Sequence, residues 1–178
     1  MRVISGTLRG HKLQSLEGMD TRPTLDRVKE ALFSMLFGKT EDATGLDLFA
    51  GSGALGIELL SRYGRECTFV DNNKNALGVV TKNIESCRLL DRAYVVMSSY
   101  TDFLHSTDKC FDIIFMDPPY DGDMYIPALD IIKKRSLLKR GGVIVMECRA
   151  DYSLMHDGFS IIKDKTYGKV RLCILEEA

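Results

Sequence analysis

From residue 45 onward, short apolar strands alternate with amphipathic helices, and that alternation leaves few folds open to the chain. Residues 46–50 read as a buried strand and 53–63 as a helix. Strand 67–70, helix 74–87 and strands 93–97 and 112–116 follow, then a helical segment over 125–132 and a fifth strand at 142–147. Residues 159–163 and 170–175 read as a closing antiparallel pair around Tyr167-Gly168. Strands that alternate with helices predict an α/β domain with a mostly parallel sheet and helices on both faces. Ligands of such sheets sit at the carboxyl ends of the strands, so those ends are where chemistry is expected.

The first strand end carries Asp47-Leu48-Phe49-Ala50-Gly51-Ser52-Gly53-Ala54-Leu55-Gly56. Gly51, Gly53 and Gly56 form a GxGxxG, which permits a tight turn and close backbone approach to a ligand at a helix N-terminus. Alone, that pattern also suits a nicotinamide or flavin enzyme. Asp47 shifts the balance, because a carboxylate repels a diphosphate but attracts the ammonium and sulfonium of S-adenosylmethionine. Phe49, Ala50 and Ala54 would line the same turn. Asp71, about 20 residues beyond the glycines, ends the second strand and can accept hydrogen bonds from ribose hydroxyls, with Asn72 beside it; Asp71 could equally cap a helix. After the third strand, Ser99 or the backbone of Tyr100 would border an adenine, unless Ser99 only caps a helix.

The most telling piece is Asp117-Pro118-Pro119-Tyr120, directly after the fourth strand. Consecutive prolines impose an extended backbone without N–H donors and leave its carbonyls as acceptors. An amino group on a base is a poor nucleophile because its lone pair is delocalised into the ring. Asp117 and the Pro118 carbonyl can accept its two hydrogens and orient the lone pair, while Tyr120 stacks on the base. Asp117, Pro118 and Tyr120 are therefore the expected catalytic residues, and methyl transfer to an exocyclic amino group is the expected reaction. Alignment would carry most of the catalysis. A nicotinamide oxidoreductase leaves the tetrapeptide unexplained.

The 178 residues, 45% hydrophobic and 28% charged, suit one soluble domain, and no apolar run is long enough to cross a bilayer. The N-terminus lacks the apolar core of a signal peptide, so a cytoplasmic protein is expected. Five scattered cysteines and three isolated histidines show no metal-ligand spacing, which points to free thiols and no metal. The net charge is only −1, but residues 1–39 hold seven Lys and Arg against four Asp and Glu. A basic N-terminal segment on a mildly acidic domain permits nucleic-acid contact without demanding it. In that segment residues 2–4 and 12–14 suggest a hairpin, and Pro23 opens a helix striped by Leu25, Val28, Ala31, Leu32, Met35 and Leu36. Arg9, His11 and Lys12 could contact RNA phosphates or form an ordinary solvated edge.

Taken together, RVISGTLRGHKL at residues 2–13, Arg22-Pro23-Thr24, Asp26-Arg27-Val28-Lys29-Glu30-Ala31-Leu32-Phe33, the 47–58 loop and Asp117–Tyr120 resemble the RsmD family. These are bacterial 16S rRNA (guanine-N2)-methyltransferases, and the resemblance covers nearly the whole chain. It implies a class I, Rossmann-like seven-stranded sheet with S-adenosylmethionine as cofactor. It also implies a 16S rRNA or small-subunit particle as partner and guanine as the base. Arg22 and Thr24 would help hold the methionine end of the cofactor. The implied organisation is one methyltransferase domain, with residues 1–39 an RNA-contacting extension and 40–178 the catalytic core, in a monomer. The chain departs from the family at Leu8, where an aromatic is frequent, and at Tyr120, where Phe is common. A DNA or RNA adenine-N6 methyltransferase would use the same tetrapeptide, and a non-catalytic RNA-binding module could retain the fold.

Overall fold

The computed structural model describes residues 1–16, 23–119 and 123–178, with the side chains of 23–25 outside that description. The elements run α1 (Pro23–Met35), β1 (Thr44–Asp47), α2 (Ala54–Ser61), β2 (Glu66–Asp71), α3 (Lys74–Ser86) and β3 (Ala93–Met97). They continue as α4 (Tyr100–Ser106), β4 (Phe111–Met116), α5 (Tyr125–Arg135), β5 (Leu138–Arg149), β6 (Phe159–Tyr167) and β7 (Val170–Glu177). One seven-stranded sheet results, in the order β3-β2-β1-β4-β5-β7-β6. The first five strands pair in parallel, and β7 runs antiparallel to both β5 and β6.

Side-chain alternation along the strands separates the two faces. Ile113 and Phe115 of β4 and Val143 and Val145 of β5 pack with Val28, Leu32, Phe33 and Leu36 on the α1 side. Cys67 and Phe69 continue that face beneath α2 and α3, with Ile57, Leu60, Val80 and Ile84. On the opposite face Ile114, Met116, Ile144 and Met146 meet Leu104 of α4 and Leu129 and Ile132 of α5. Each central strand is buried on both sides, which is why β4 reads as a nearly continuous apolar run. Glycine at 56 sets how closely α2 lies on β2, because a Cβ there would collide with the Phe69 ring.

The expected alternation holds, but β1 closes at Asp47 and not at residue 50, because the chain leaves the ladder there for the glycine turn, and β6 runs four residues past the expected 163; β5, α4 and the N-terminal pair differ too. Strand β5 begins four residues earlier than read and ends two later, because Gly141 and Gly142 sit inside it. Helix α4 was not expected as an element. It is short, and Ser99 caps it by accepting from the backbone N–H of Asp102 at 3.1 Å. The two N-terminal stretches meet at a single antiparallel bridge, Arg2 to Lys12, and not along a ladder.

The described parts of residues 1–39 pack into the domain. Helix α1 shares a core with β4, β5 and β7, and Val3 and Leu13 are buried against α2 and α3. Position 39/40 marks no seam in the packing. Polar contacts fasten the arm as well. Glu58 of α2, with no exposed surface, accepts from the backbone N–H groups of Ile4 and Ser5 at 2.8 and 3.0 Å. It also pairs with Lys29 at 3.2 Å and Arg62 at 2.9 Å.

Candidate active site

The carboxyl ends of β1, β2, β4 and β5 lie side by side in the sheet and carry Asp47, Asp71, Asp117 and Glu147. Beyond β1 the chain turns sharply: Gly51 and Gly53 have φ of 54° and 78°, a left-handed backbone that favours glycine. Ala50 N–H donates to the Val70 carbonyl at 2.9 Å and Gly53 N–H to the Ala50 carbonyl at 2.6 Å, which fixes the turn above β1 and β2. Ala54 then opens α2.

Asp47 closes β1 and is buried, at 3% exposure. Its carboxylate accepts from Gly56 N–H at 3.0 Å, near the start of α2. Burial, partly offset by that hydrogen bond and reinforced by the charge of Asp71, pushes its carboxyl up to about 7. Among the described residues no cation faces it. Asp71 accepts from Gly51 N–H at 3.0 Å and from Asn73 N–H at 2.8 Å. It therefore braces the glycine turn, and each of its oxygens retains acceptor capacity. The cap of α3 is Asn73, which accepts from Asn75 and Ala76, while Asn72 is exposed.

Around the third strand end, Phe49 and Tyr100 pack with ring centroids 5.4 Å apart and are partly buried. The Ser99 hydroxyl is engaged within its own turn, with Asp102 and Thr101.

Asp117 follows β4 directly. It keeps an open side to solvent. Protein packed around the rest of it removes water, and the charges of Glu147 and Asp47 add to that, so its carboxyl is pushed well above the usual carboxylate range. The open side moderates the rise. Pro118 is buried and Pro119 exposed, with no cis peptide bond in the described chain. Met116 of β4 pairs with Met146 of β5, so Asp117 and Glu147 are the next residues along adjacent strands. Burial raises the Glu147 carboxyl too. The backbone carbonyl of Glu147 accepts from the Tyr125 hydroxyl at 2.7 Å. Tyr125 packs on Tyr152 at 4.8 Å, and the Tyr152 hydroxyl donates to Asp123 at 3.0 Å. These contacts tie the end of β5 to the chain leading into α5.

Of the residues singled out in the sequence, Asp47, Phe49, Ala50, Gly51, Gly53, Ala54, Asp71, Asn72, Ser99, Tyr100, Asp117 and Pro118 all lie at or next to this edge of the sheet. Arg22, the Thr24 side chain and Tyr120 fall outside the described residues. Arg9 and Lys12 are exposed, and His11 is half-buried with Nε2 3.2 Å from the Ser86 hydroxyl. Two residues were overlooked. Glu147 obeys the same strand-end rule that singled out the three aspartates. Asn83 carries no sequence signal, because only the folded arrangement joins it to the glycine turn.

This sheet order, with β7 reversed, a glycine turn after β1 and acidic residues closing β1 and β2, defines a class I methyltransferase. A family described as conserved hypothetical protein 95 matches residues 1–176, and the chain belongs to it; this is the RsmD family to which the motifs pointed. The chain is 35% identical to ribosomal RNA small subunit methyltransferase D of Haemophilus influenzae, over 96% of this chain and 90% of that one. It is 33% identical to the protein of the same name from Escherichia coli, over 96% and 86%. The solved structure of yhhF from Escherichia coli superposes with a TM-score of 0.89 at 29% identity, covering 99% of this chain and 97% of the other.

Proposed function

We propose that the chain transfers a methyl group from S-adenosylmethionine to the N2 amino group of a guanine in small-subunit ribosomal RNA. One observation carries the reading: Asp47 and the glycine turn stand beside Asp117-Pro118 on adjacent parallel strands. A cofactor held on the first pair therefore meets an amino group held on the second. The names of the relatives supply the RNA. The fit to the cofactor rests on Asp47, a buried carboxylate without a cationic partner among the described residues, and on Gly51, left-handed and with open space where a Cβ would stand.

When bound, S-adenosylmethionine supplies an electrophilic methyl on a positively charged sulfur. The chain's own residues do the rest. Asp47 and neighbouring carboxylates favour that positive charge. The Gly51–Gly53 backbone and Asp71 would hold the cofactor's ribose, and Phe49 and Tyr100 would offer an aromatic edge to its adenine. Asp117 and the Pro118 carbonyl accept the amino hydrogens and direct the nitrogen lone pair towards the methyl. Asp117 or water would receive the surplus proton of the methylated nitrogen. Arg22 and Thr24 would steady the methionine end, and Tyr120 would stack on the base. Arg9, His11 and Lys12 on the arm would take phosphates. A base inside a helix must be exposed or flipped out to reach Asp117.

The test is methylation of small-subunit particles from cells that lack the endogenous activity, with product nucleosides identified. N2-methylguanosine is expected from the wild type. Asp117→Ala should abolish turnover yet keep cofactor affinity within about threefold, a difference under 1 kcal/mol. Full turnover per bound cofactor in that variant would sink the assignment of Asp117.

A further inference from the structure

Three carboxylates of the site already have work. Asp47 accepts from Gly56, Asp71 accepts from Gly51 and Asn73, and Asp117 belongs to the amino group. Glu147 stands apart. It is partly buried, it lies alongside Asp117, and its carboxylate has no hydrogen-bond or ion-pair partner among the described residues. Its backbone is nonetheless held firmly, through the Tyr125 hydroxyl at its carbonyl and the Tyr125–Tyr152 pair behind it. An unpaired acid beside another acid is unfavourable in the empty protein, since each charge opposes the other. Such an arrangement is stabilised when a ligand brings donors.

The edge of guanine that carries N2 presents two adjacent donors, the amino group and N1–H. Adenine presents an amino group beside an N1 lone pair. Two neighbouring acceptor groups therefore match guanine and oppose adenine. With the amino group on Asp117 and Pro118, Glu147, next to Asp117 on the adjacent strand β5, is the free acceptor available to the neighbouring ring position. We propose that Glu147 is a specificity-determining residue: its carboxylate accepts the N1–H of the target guanine and turns adenine away. This rests on the reading of the site as a guanine-N2 methyltransferase. It also gives a reason for an acid at this strand end, since Asp117 and Pro118 alone would hold the amino group of either purine equally well.

The experiment uses particles reconstituted with 16S rRNA carrying guanosine or adenosine at the position that the wild type methylates. Glutamine at 147 can accept from guanine N1–H or donate to adenine N1, so it serves both bases. Glu147→Gln should lower the guanosine-to-adenosine ratio of kcat/KM by at least about tenfold and yield N6-methyladenosine, with cofactor affinity little changed. Glu147→Ala should also lower the ratio, through loss of guanosine turnover. A ratio unchanged in both variants would overturn the proposal, whatever happened to the absolute rates. Loss of cofactor binding in both would overturn it too, by assigning Glu147 to the cofactor. Failure of the wild type to methylate any guanosine would instead remove the underlying reading, a result separate from either of these.

Discussion

The side-chain amide of Asn83, buried in α3, donates to the carbonyl of Ser52 in the glycine turn at 2.9 Å. The same Nδ2 donates to the Gln14 carbonyl at 3.0 Å, and its Oδ1 accepts from Gln14 N–H at 2.8 Å. One side chain thus clamps the N-terminal arm and the glycine turn. Asn83→Ala would strand the Ser52 carbonyl, at about 1–3 kcal/mol for a buried group left unsatisfied, and release the arm at Gln14. We expect urea denaturation to show a loss of about 2–4 kcal/mol. Calorimetry should show cofactor affinity falling about tenfold, because the turn loses its brace. Unchanged affinity with lowered stability would confine Asn83 to packing.

Asp47 predicts an unusual pH dependence. Its carboxyl titrates near 7 in the folded chain against 3.8 for an ordinary aspartate. Between those values the folded protein retains a proton that the unfolded chain has lost, so this group makes stability fall as pH rises from about 4 to about 7. At roughly 1.4 kcal/mol per unit, the full effect is about 4 kcal/mol, to order of magnitude. Asp47→Asn should therefore raise the melting temperature of the cofactor-free protein above pH 7 and flatten its pH profile, while abolishing cofactor binding. The wild type should bind S-adenosylmethionine more tightly at pH 8 than at pH 6, since the ionised carboxylate is the form that attracts the cation. Calorimetric titrations at the two pH values check this, and tighter binding at pH 6 would contradict it.

Those carboxylates also show what a sequence reveals and what it withholds. Asp71 and Asp117 were legible because each follows an apolar strand in a parallel α/β pattern, where chain order alone places the strand ends on one edge, and Asp47 because the glycine run comes directly after it. The glycine turn was legible for a local reason, a backbone that only glycine adopts readily. Glu147 obeyed the same rule, but no adjoining motif drew attention to it. Helix α4 escaped notice because its seven residues make barely two turns, and Ser99 gave only an ambiguous cap. The docking of the arm was beyond sequence reasoning. Nothing around Glu58 in the sequence marks it as buried, yet it is wholly buried because residues 4 and 5 and Lys29 close over it.

Glu58 is accordingly a site of large expected cost. Its partners Lys29 and Arg62 sit at 3.2 and 2.9 Å, and Lys29 is itself only 6% exposed. Burial holds the Lys29 ammonium below its ordinary pKa, with Glu58 opposing that depression. Glu58→Ala leaves this cation without its carboxylate and two arm N–H groups without an acceptor. A loss of about 3–5 kcal/mol is expected from chemical denaturation. Glu58→Ala with Lys29→Met should recover part of it, because the more deeply buried of the two cations is then gone; a double variant no better than Glu58→Ala would contradict the assignment.

If the arm contacts RNA, loosening it should slow methylation without touching the cofactor. Gly6 has φ of 85°, and a Cβ there would fall on the backbone carbonyl of Ser61 at the end of α2. Around it, Thr7 N–H donates to the Ser61 carbonyl at 2.8 Å, Leu8 N–H to the Ser61 hydroxyl at 3.0 Å, and that hydroxyl to the Ser5 carbonyl at 2.6 Å. Gly6→Ala meets both obstacles, a left-handed backbone and a fixed main-chain neighbour that cannot rotate away. The turn carrying Arg9 should lift from α2, while Gln14, eight residues on, stays clamped by Asn83. Methylation of ribosomal particles should fall about tenfold in kcat/KM with cofactor affinity within about threefold of the wild type. Trypsin should cleave after Arg9 in the variant and spare that bond in the wild type. If the arm lifts, as proteolysis reports, and methylation holds its rate, Arg9, His11 and Lys12 lie outside the RNA interface and the substrate is gripped by the sheet edge alone.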